Sequence, residues 1–365
     1  MLSKGKKVLA LAMCAAMMAT AVSFTGCAKK STGSTTSGSD ARPTAESVKK
    51  EGKLVTYGMP GSWANYEELY TNFTKQYGVT HQDTDMSSAE EIAKFKAEKN
   101  SPVADLGDIG IAFTSGAKKQ GVLLAYKNKY FNEVPSWAKD ANGYWCCAYT
   151  GTICFIVNKK LVKDVPTSWK DLLKSEYKNC VVTGDVQKAA EAQTGLLAAA
   201  IANGGSESNI QPGIDYFKKL KQAGNIKDVD KSVATIQKGE VPISFSYDFN
   251  ALNNKYTSSN PDDFEVVIPS DGSVMSAYAS IINAYAPHPN TAKAFQDYVF
   301  SDEGQALLAK GYARPIRTNV KIPDSTKSKM IPDSEYKNVT QVKDQATWDA
   351  TAKTIPNLWR DNVMS

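Results

Sequence analysis

Short apolar runs alternate with amphipathic stretches along most of this chain, and that alternation constrains its fold more than any other feature. Residues 54–59 read as a strand ended by the Pro60-Gly61 turn signal. Tyr66, Leu69, Tyr70, Phe73 and Tyr77 then recur at helical spacing, and Gly78 stops the helix. Ser88 and Glu91, three residues apart, form a capping box and predict a helix burying Ile92 and Phe95. A strand over 103–111 and a helix over 115–120, stopped at Gly121, follow. The second half repeats the pattern, with strands at 153–158, 180–183, 241–246, 264–268 and 277–282. Its helices lie at 169–174, at 186–203, from Pro212 to Gly224, and at 291–300 and 303–310. Such alternation predicts an α/β fold with mostly parallel sheets. At 365 residues the chain exceeds one ordinary core, which argues for two lobes.

The first residues read as a targeting segment rather than as part of that fold. Lys4, Lys6 and Lys7 precede an apolar run over 8–22 that is short for a membrane span and suits the core of an export signal. Ser23-Phe24-Thr25-Gly26-Cys27 resembles the lipobox at which bacterial lipoproteins are cleaved and lipidated. Phe24 and Thr25 depart from the usual Leu and Ala or Ser; Gly26 and Cys27 match. The resemblance implies a signal peptide over 1–26 and a lipid anchor on Cys27. The Ser-, Thr- and Gly-rich stretch within 27–44 then reads as a flexible tether.

Charge and cysteines exclude several classes of function. The formal net charge is +5; without the three signal lysines, 40 basic residues face 38 acidic ones, a balance of +2. That gives no electrostatic case for nucleic-acid binding. Cys146, Cys147, Cys154 and Cys180 contain no C-x-x-C pair, so zinc or thioredoxin-like chemistry is unsupported, and buried free thiols are favoured over a disulfide. Neither G-x-S-x-G, G-x-x-x-x-G-K-[ST] nor H-E-x-x-H occurs, and His81 and His288 are the only histidines. No catalytic residue, cofactor or metal site is assigned. A secreted hydrolase using carboxylates stands as a distant alternative.

Several segments, in order, resemble the type II periplasmic solute-binding proteins, in the branch of ferric-iron, polyamine, thiamine and sugar-phosphate binders. They are Ala104-Asp105-Leu106 with Gly121-Val122-Leu123, then Tyr149-Thr150-Gly151-Thr152 with Val157-Asn158-Lys159, then Pro166-Thr167-Ser168-Trp169-Lys170-Asp171-Leu172. Ala286-Pro287-His288-Pro289-Asn290, Ser301-Asp302-Glu303-Gly304-Gln305 and Arg314-Pro315-Ile316-Arg317 complete the series. The resemblance covers about 53–317. It implies two α/β lobes joined by crossover strands near Tyr149 and Tyr278, with a ligand cleft between them. Lobe one would be 45–147 with 278–313, and lobe two 148–277 with the C-terminal tail, 314–365. Function would be solute capture for an ABC-type importer, by a monomer outside the cytoplasm that meets the permease subunits and touches the membrane through its lipid.

The same resemblance, read with side-chain chemistry, nominates the cleft residues. Met59, Ser62 and Trp63 lie in the first βα loop, where an indole offers a flat wall and one donor. Ser87 and Ser88 start a helix, although Glu90 and Glu91 already place negative charge there, so capping is the favoured role. Asp108 ends a strand toward the cleft, Asp185 follows another, and Tyr247-Asp248 closes a third. Tyr149 and Tyr278 lie on the crossovers, and Arg317 closes a family segment and would serve an anionic ligand or a structural carboxylate. An organic cation such as a polyamine or thiamine-like compound is ranked first, held by Trp63, Tyr247, Asp108, Asp185 and Asp248. Ferric iron, which wants several phenolates and carboxylates, and a sugar phosphate, which wants helix N-termini and Arg, are the alternatives.

Overall fold

The computed structural model describes residues 42–187 and 189–365. The export signal, Cys27 and most of the tether therefore lie outside the described residues. Thr44 caps the first helix, α1 (Ala45–Glu51), which ends at Gly52 with φ 71°. It leads into β1 (Lys53–Tyr57), and the predicted apolar stripe then forms α2 (Tyr66–Tyr77), burying Tyr66, Leu69, Tyr70 and Phe73. Next come β2 (Thr80–Thr84), α3 (Ser88–Ala97), β3 (Leu106–Gly110), α4 (Ile111–Lys119) and β4 (Leu123–Leu124). β1 lies between β2 and β3 and is parallel to both, as βαβ units require.

The capping box of α3 sits one residue earlier than expected. The Ser87 N–H and hydroxyl both donate to Glu90 at 2.8 and 2.7 Å. Ser88 is thereby freed to accept the Gly110 N–H at 3.1 Å, tying the start of α3 to the end of β3. Glu91 is turned inward and is 1% exposed.

The long strand β5 (Cys146–Asn158) is buried at every residue. β6 (Val181–Val182), α5 (Ala190–Ala202), α6 (Gln211–Gln222), α7 (Val233–Gln237), β7 (Ile243–Tyr247), α8 (Asp248–Thr257) and β8 (Phe264–Val267) follow. β9 (Ser273–Asn283) returns, and α9 (Pro289–Val299), α10 (Asp302–Lys310) and β10 (Arg314–Pro315) come next. The tail contributes α11 (Asp324–Lys327), β11 (Val339–Gln341), α12 (Gln345–Ala352) and α13 (Ile355–Trp359).

The strands run in the order β2-β1-β3-β9-β5-β7-β6, with β4 and β11 on β9 and β8 and β10 on β5. The expectation of mostly parallel sheets is corrected here. Among the described residues, parallel strand pairing is confined to β1–β2, β1–β3, β6–β7 and β9–β11, and every other strand pair is antiparallel. The cause is the pair of long strands. β5 meets β9 from Cys146↔Ser280 to Thr152↔Met275, with a bulge between Cys147 and Tyr149, and its second half then enters the other sheet against β7 and β8. One strand thus serves both sheets, and its direction opposes its neighbours in each.

Two further boundaries differ. The helix expected from 186 begins at Ala190, because Gly184 at φ 72° turns the chain and Asp185 accepts the Gln187 N–H at 3.0 Å. The 169–174 helix is a single 3-10 turn, Asp171–Leu173. All four described cysteines are free thiols; three are buried, and burial pushes the Cys146 thiol up to about 12.

Candidate functional site

Where β5, paired with β9, passes from one sheet into the other, aromatic side chains from four elements converge. Trp63 comes from the loop after β1, Tyr149 from β5, Tyr278 from β9, and Tyr247 and Phe249 from the junction of β7 and α8. The Trp63 loop is held by two consecutive non-glycine residues in the left-handed region, Ala64 at φ 47° and Asn65 at φ 62°. Such backbone costs about 1–3 kcal/mol per residue and persists only where packing enforces it. Here the Asn65 amide donates to Glu68 and to the Leu307 carbonyl, both at 3.1 Å.

The Trp63 indole N–H donates to the Tyr149 hydroxyl, which donates to Asp108, each at 2.5 Å. The Trp63 ring meets Phe249 and Tyr278 edge-on, at 5.1 and 5.3 Å between centroids. Tyr149 stacks on Tyr278 at 5.4 Å and Tyr247 on Phe249 at 5.8 Å, geometries that suit the ring quadrupole. Gly151 permits this: a Cβ there would overlap the Phe249 ring. Burial pushes the Asp108 carboxyl up to about 7, against the opposing pull of the Tyr149 and Tyr66 hydroxyls. Glu91 lies in the same buried region and is also raised, chiefly by burial and then by Asp108. It fits because β3 has Gly107, where a Cβ would strike its carboxyl.

In front of the rings lies a cavity of about 490 Å³. One wall is the start of α3 and the first turn of α4, from Gly110 to Phe113. The opposite wall is α5 with Gln193 and Thr194, and Tyr247. β9 supplies the floor from Val274 to Tyr278, and tail residues Gln345, Trp348, Asp349 and Lys353 close the remaining side. The lining is mostly apolar, with amides and hydroxyls spaced among it, as expected of a site for a small organic solute.

Of the nominated residues, Tyr247 and Tyr278 line this cavity, and Trp63, Asp108 and Tyr149 stand behind them in the ring cluster. Met59 is buried, with its N–H on Asp83 at 3.2 Å and its carbonyl on the Tyr70 hydroxyl at 2.8 Å. Ser62 is exposed on the loop. Ser87 caps α3, and Ser88 braces Gly110 next to the cavity. Three residues lie elsewhere. Asp185 borders a separate groove with Lys227 and Trp359. Asp248 is buried and accepts from Tyr336 at 2.6 Å and from the Thr152 N–H at 3.0 Å. Arg317 is buried against Glu133 and Asp302, at 2.5 and 2.7 Å, with its guanidinium over the Tyr130 ring. Asp248 and Arg317 serve local structure, because buried charge demands a partner close by; Asp185 is exposed and turns the chain ahead of α5.

Sequence reading missed Thr194, Glu191 and the tail. The Tyr247 hydroxyl donates to Thr194 at 3.1 Å. Glu191 gathers the Lys231 ammonium at 2.6 Å, the Ser246 hydroxyl at 2.7 Å and the Tyr247 N–H at 2.9 Å. Burial alone would raise its pKa, but Lys231 and these donors bring it below the usual carboxylate range. Glu191, Gln193 and Thr194, the polar residues of an Ala/Leu-rich helix, are the signal that would have found this wall. Both histidines serve structure: His81 stacks on Tyr70 at 3.5 Å and burial lowers it to about 4, while His288 pairs with Asp105 at 3.0 Å. Among the described residues no group of three or more His, Cys, Asp or Glu is placed to hold a metal ion.

Comparison with known proteins agrees with a solute-binding architecture. Residues 101–340 match the bacterial extracellular solute-binding protein family. An uncharacterized protein of Haemophilus influenzae is 30% identical over 291 residues, covering 75% of this chain and 80% of that one. A putative 2-aminoethylphosphonate-binding periplasmic protein of Salmonella typhimurium is 25% identical over 324 residues, covering 84% and 90%. Among solved structures, the periplasmic binding protein AfuA from Actinobacillus pleuropneumoniae, with exogenous fructose-6-phosphate bound, has a TM-score of 0.71 at 22% identity and covers 86% of this chain and 98% of its own. The chain therefore belongs to the bacterial extracellular solute-binding proteins of ABC importers, with the α/β fold of their type II members, and is a binding protein rather than an enzyme.

Proposed function

We propose that this protein captures a small organic solute carrying a phosphonate or phosphate group and presents it to an ABC permease by closing its two lobes, 45–147 with 278–313 and 148–277 with 314–365. The cavity of about 490 Å³, walled by α3 and α4 on one side and α5 and Tyr247 on the other, carries the reading. Its volume lies within the range usual for small-molecule sites, roughly 300–1,000 Å³. Closure around a solute excludes water and strengthens each polar contact, and the solute shifts the open–closed balance only by its extra affinity for the closed form.

The oxyanion is supported by the first turn of α4. No acidic residue lies there, and Gly110 before it has no side chain to cap the free N–H groups. Such a turn favours negative charge. The Salmonella typhimurium relative is described as binding an aminoalkyl phosphonate, and fructose-6-phosphate, bound in AfuA, bears the same tetrahedral oxyanion. An organic cation finds less support. Asp108 is engaged by Tyr149, Asp248 by Tyr336, and Asp185 lies outside the cavity. Asp349, with Gln345 on it at 2.9 Å, is the carboxylate in the cavity wall and suits an ammonium on the same solute. Outside the described residues, we assign Cys27 as the lipidated residue after removal of 1–26, anchoring the protein to the membrane.

Titration of the full chain with 2-aminoethylphosphonate, glucose 6-phosphate, sulfate, putrescine, thiamine and ferric citrate, read by melting temperature and calorimetry, tests this. A phosphonate or phosphate ester is expected to bind most tightly. Tight binding of putrescine, thiamine or ferric citrate with silent phosphoryl compounds would refute the oxyanion.

A further inference from the structure

The tail is anchored on one side of the cavity and roofs it toward the other. β11 pairs in parallel with the floor strand, Val339↔Ser273 to Gln341↔Met275. The N–H groups of Lys343 and Asp344 both donate to Glu207 at 3.2 Å, and Asp344 caps α12 through Ala346 and Thr347. Beyond α12, the Gln187 amide donates to the Pro356 carbonyl at 3.2 Å, and Trp359 of α13 meets Phe217 of α6 at 5.2 Å. These anchors lie on β9, in the loops on either side of α5, and on α6. Between them α12 crosses the opening and packs against α4, the helix whose first turn walls the cavity.

Side chains on the inner face of α12 enter the cavity lining. Trp348 is 5% exposed, and Gln345, Asp349 and Lys353 line the same space. Asp349 feels both Lys353 on its own helix and Lys119 at the end of α4, so the seam between α12 and α4 carries charge of both signs. This segment begins where the family match ends, at residue 340.

The geometry points to 341–356 as a specificity wall of the solute site: Trp348 and Gln345 face the bound solute, and the seat of α12 on α4 sets the longest solute that fits. The inference rests on this cavity being the solute site. A large planar side chain held at both ends sets a rigid boundary, whereas an unanchored tail would yield. Loss of one such aromatic contact is worth about 1–2 kcal/mol, or roughly tenfold in affinity.

Calorimetry on the full chain tests it, with 2-aminoethylphosphonate, glucose 6-phosphate, putrescine and ferric citrate as probes. Trp348→Ala is expected to weaken the probe preferred by the wild type about tenfold and to narrow its lead over the next larger probe; Trp348→Phe restores most of the loss. Gln345→Trp, at a half-buried position in the cavity wall, is expected to penalise glucose 6-phosphate more than 2-aminoethylphosphonate. Unchanged affinities and rank order in Trp348→Ala and Gln345→Trp would overturn the wall. A wild type that prefers putrescine or ferric citrate would sink the oxyanion while the same ratios still judge the wall. Hydrogen exchange in the solute-free chain gives a further readout. Amides 116–120 of α4 should exchange about tenfold faster in Trp348→Ala, and unchanged protection would overturn the seat of α12.

Discussion

Asp108→Asn isolates the electrostatic cost of the ring cluster. Asp108 is 3% exposed, and burial holds its carboxyl at about 7 against an ordinary 3.8. A carboxyl that keeps its proton more tightly in the folded state favours folding fully below pH 3.8. That advantage erodes as pH rises and is gone above about 7. By linkage the loss is about 1.4 kcal/mol per pH unit, on the order of 4 kcal/mol in all. Asparagine is nearly isosteric, keeps an oxygen for the Tyr149 hydroxyl and carries no titratable proton. The stability of Asp108→Asn relative to wild type should therefore climb by about 4 kcal/mol between pH 4 and pH 7.5, and stay level above that. Urea unfolding of both proteins, followed by tryptophan fluorescence at unit steps of pH, measures the difference. Taking the difference cancels carboxyls remote from Asp108; Glu91, which Asp108 itself raises, is eased in the variant and adds to the climb. A difference constant to within about 1 kcal/mol across that range would refute a buried, proton-holding Asp108.

Gly151→Ala should lower stability by about 1–3 kcal/mol, because the new methyl overlaps the Phe249 ring, and Phe249→Leu should recover part of the loss; thermal melts decide, and a cost below about 0.5 kcal/mol would contradict the packing. Cys27→Ser should move the protein from the membrane fraction to the soluble extracytoplasmic fraction, and continued lipid labelling of the variant would exclude Cys27 as the anchor.

The two halves of the molecule were unequally legible from sequence. α2 was readable because its stripe from Tyr66 to Phe73 is periodic and Gly78 marks its end. From periodicity alone β5 was read only from Ile153 onward; a crossover strand near Tyr149 came only from the family resemblance. The first half of β5, Thr150-Gly151-Thr152 included, has no clear strand pattern of its own, since the bonds that satisfy it come from β9, over a hundred residues later. The antiparallel character of the sheets went unseen for the same reason. At the site, Trp63, Asp108, Tyr149, Tyr247 and Tyr278 come together as strand ends and crossovers suggested. Asp248 and Arg317 looked equally eligible, yet their partners, Tyr336 and Glu133, are remote in sequence and claim them for structure. Nothing local in Gln345-Ala346-Thr347-Trp348 announces that it will roof a cavity; only the seat of α12 on α4 does so.

β5 passes from one sheet into the other as a single strand, hydrogen-bonded to β9 and β10 on one side of the passage and to β7 and β8 on the other, rather than through a slack linker. The halves are consequently not detachable modules. A cut near Thr152 would leave each fragment with a severed strand whose edge seeks a new neighbour, inviting aggregation or exchange between copies. Relative motion of the two sheets would have to flex that paired strand rather than a slack segment.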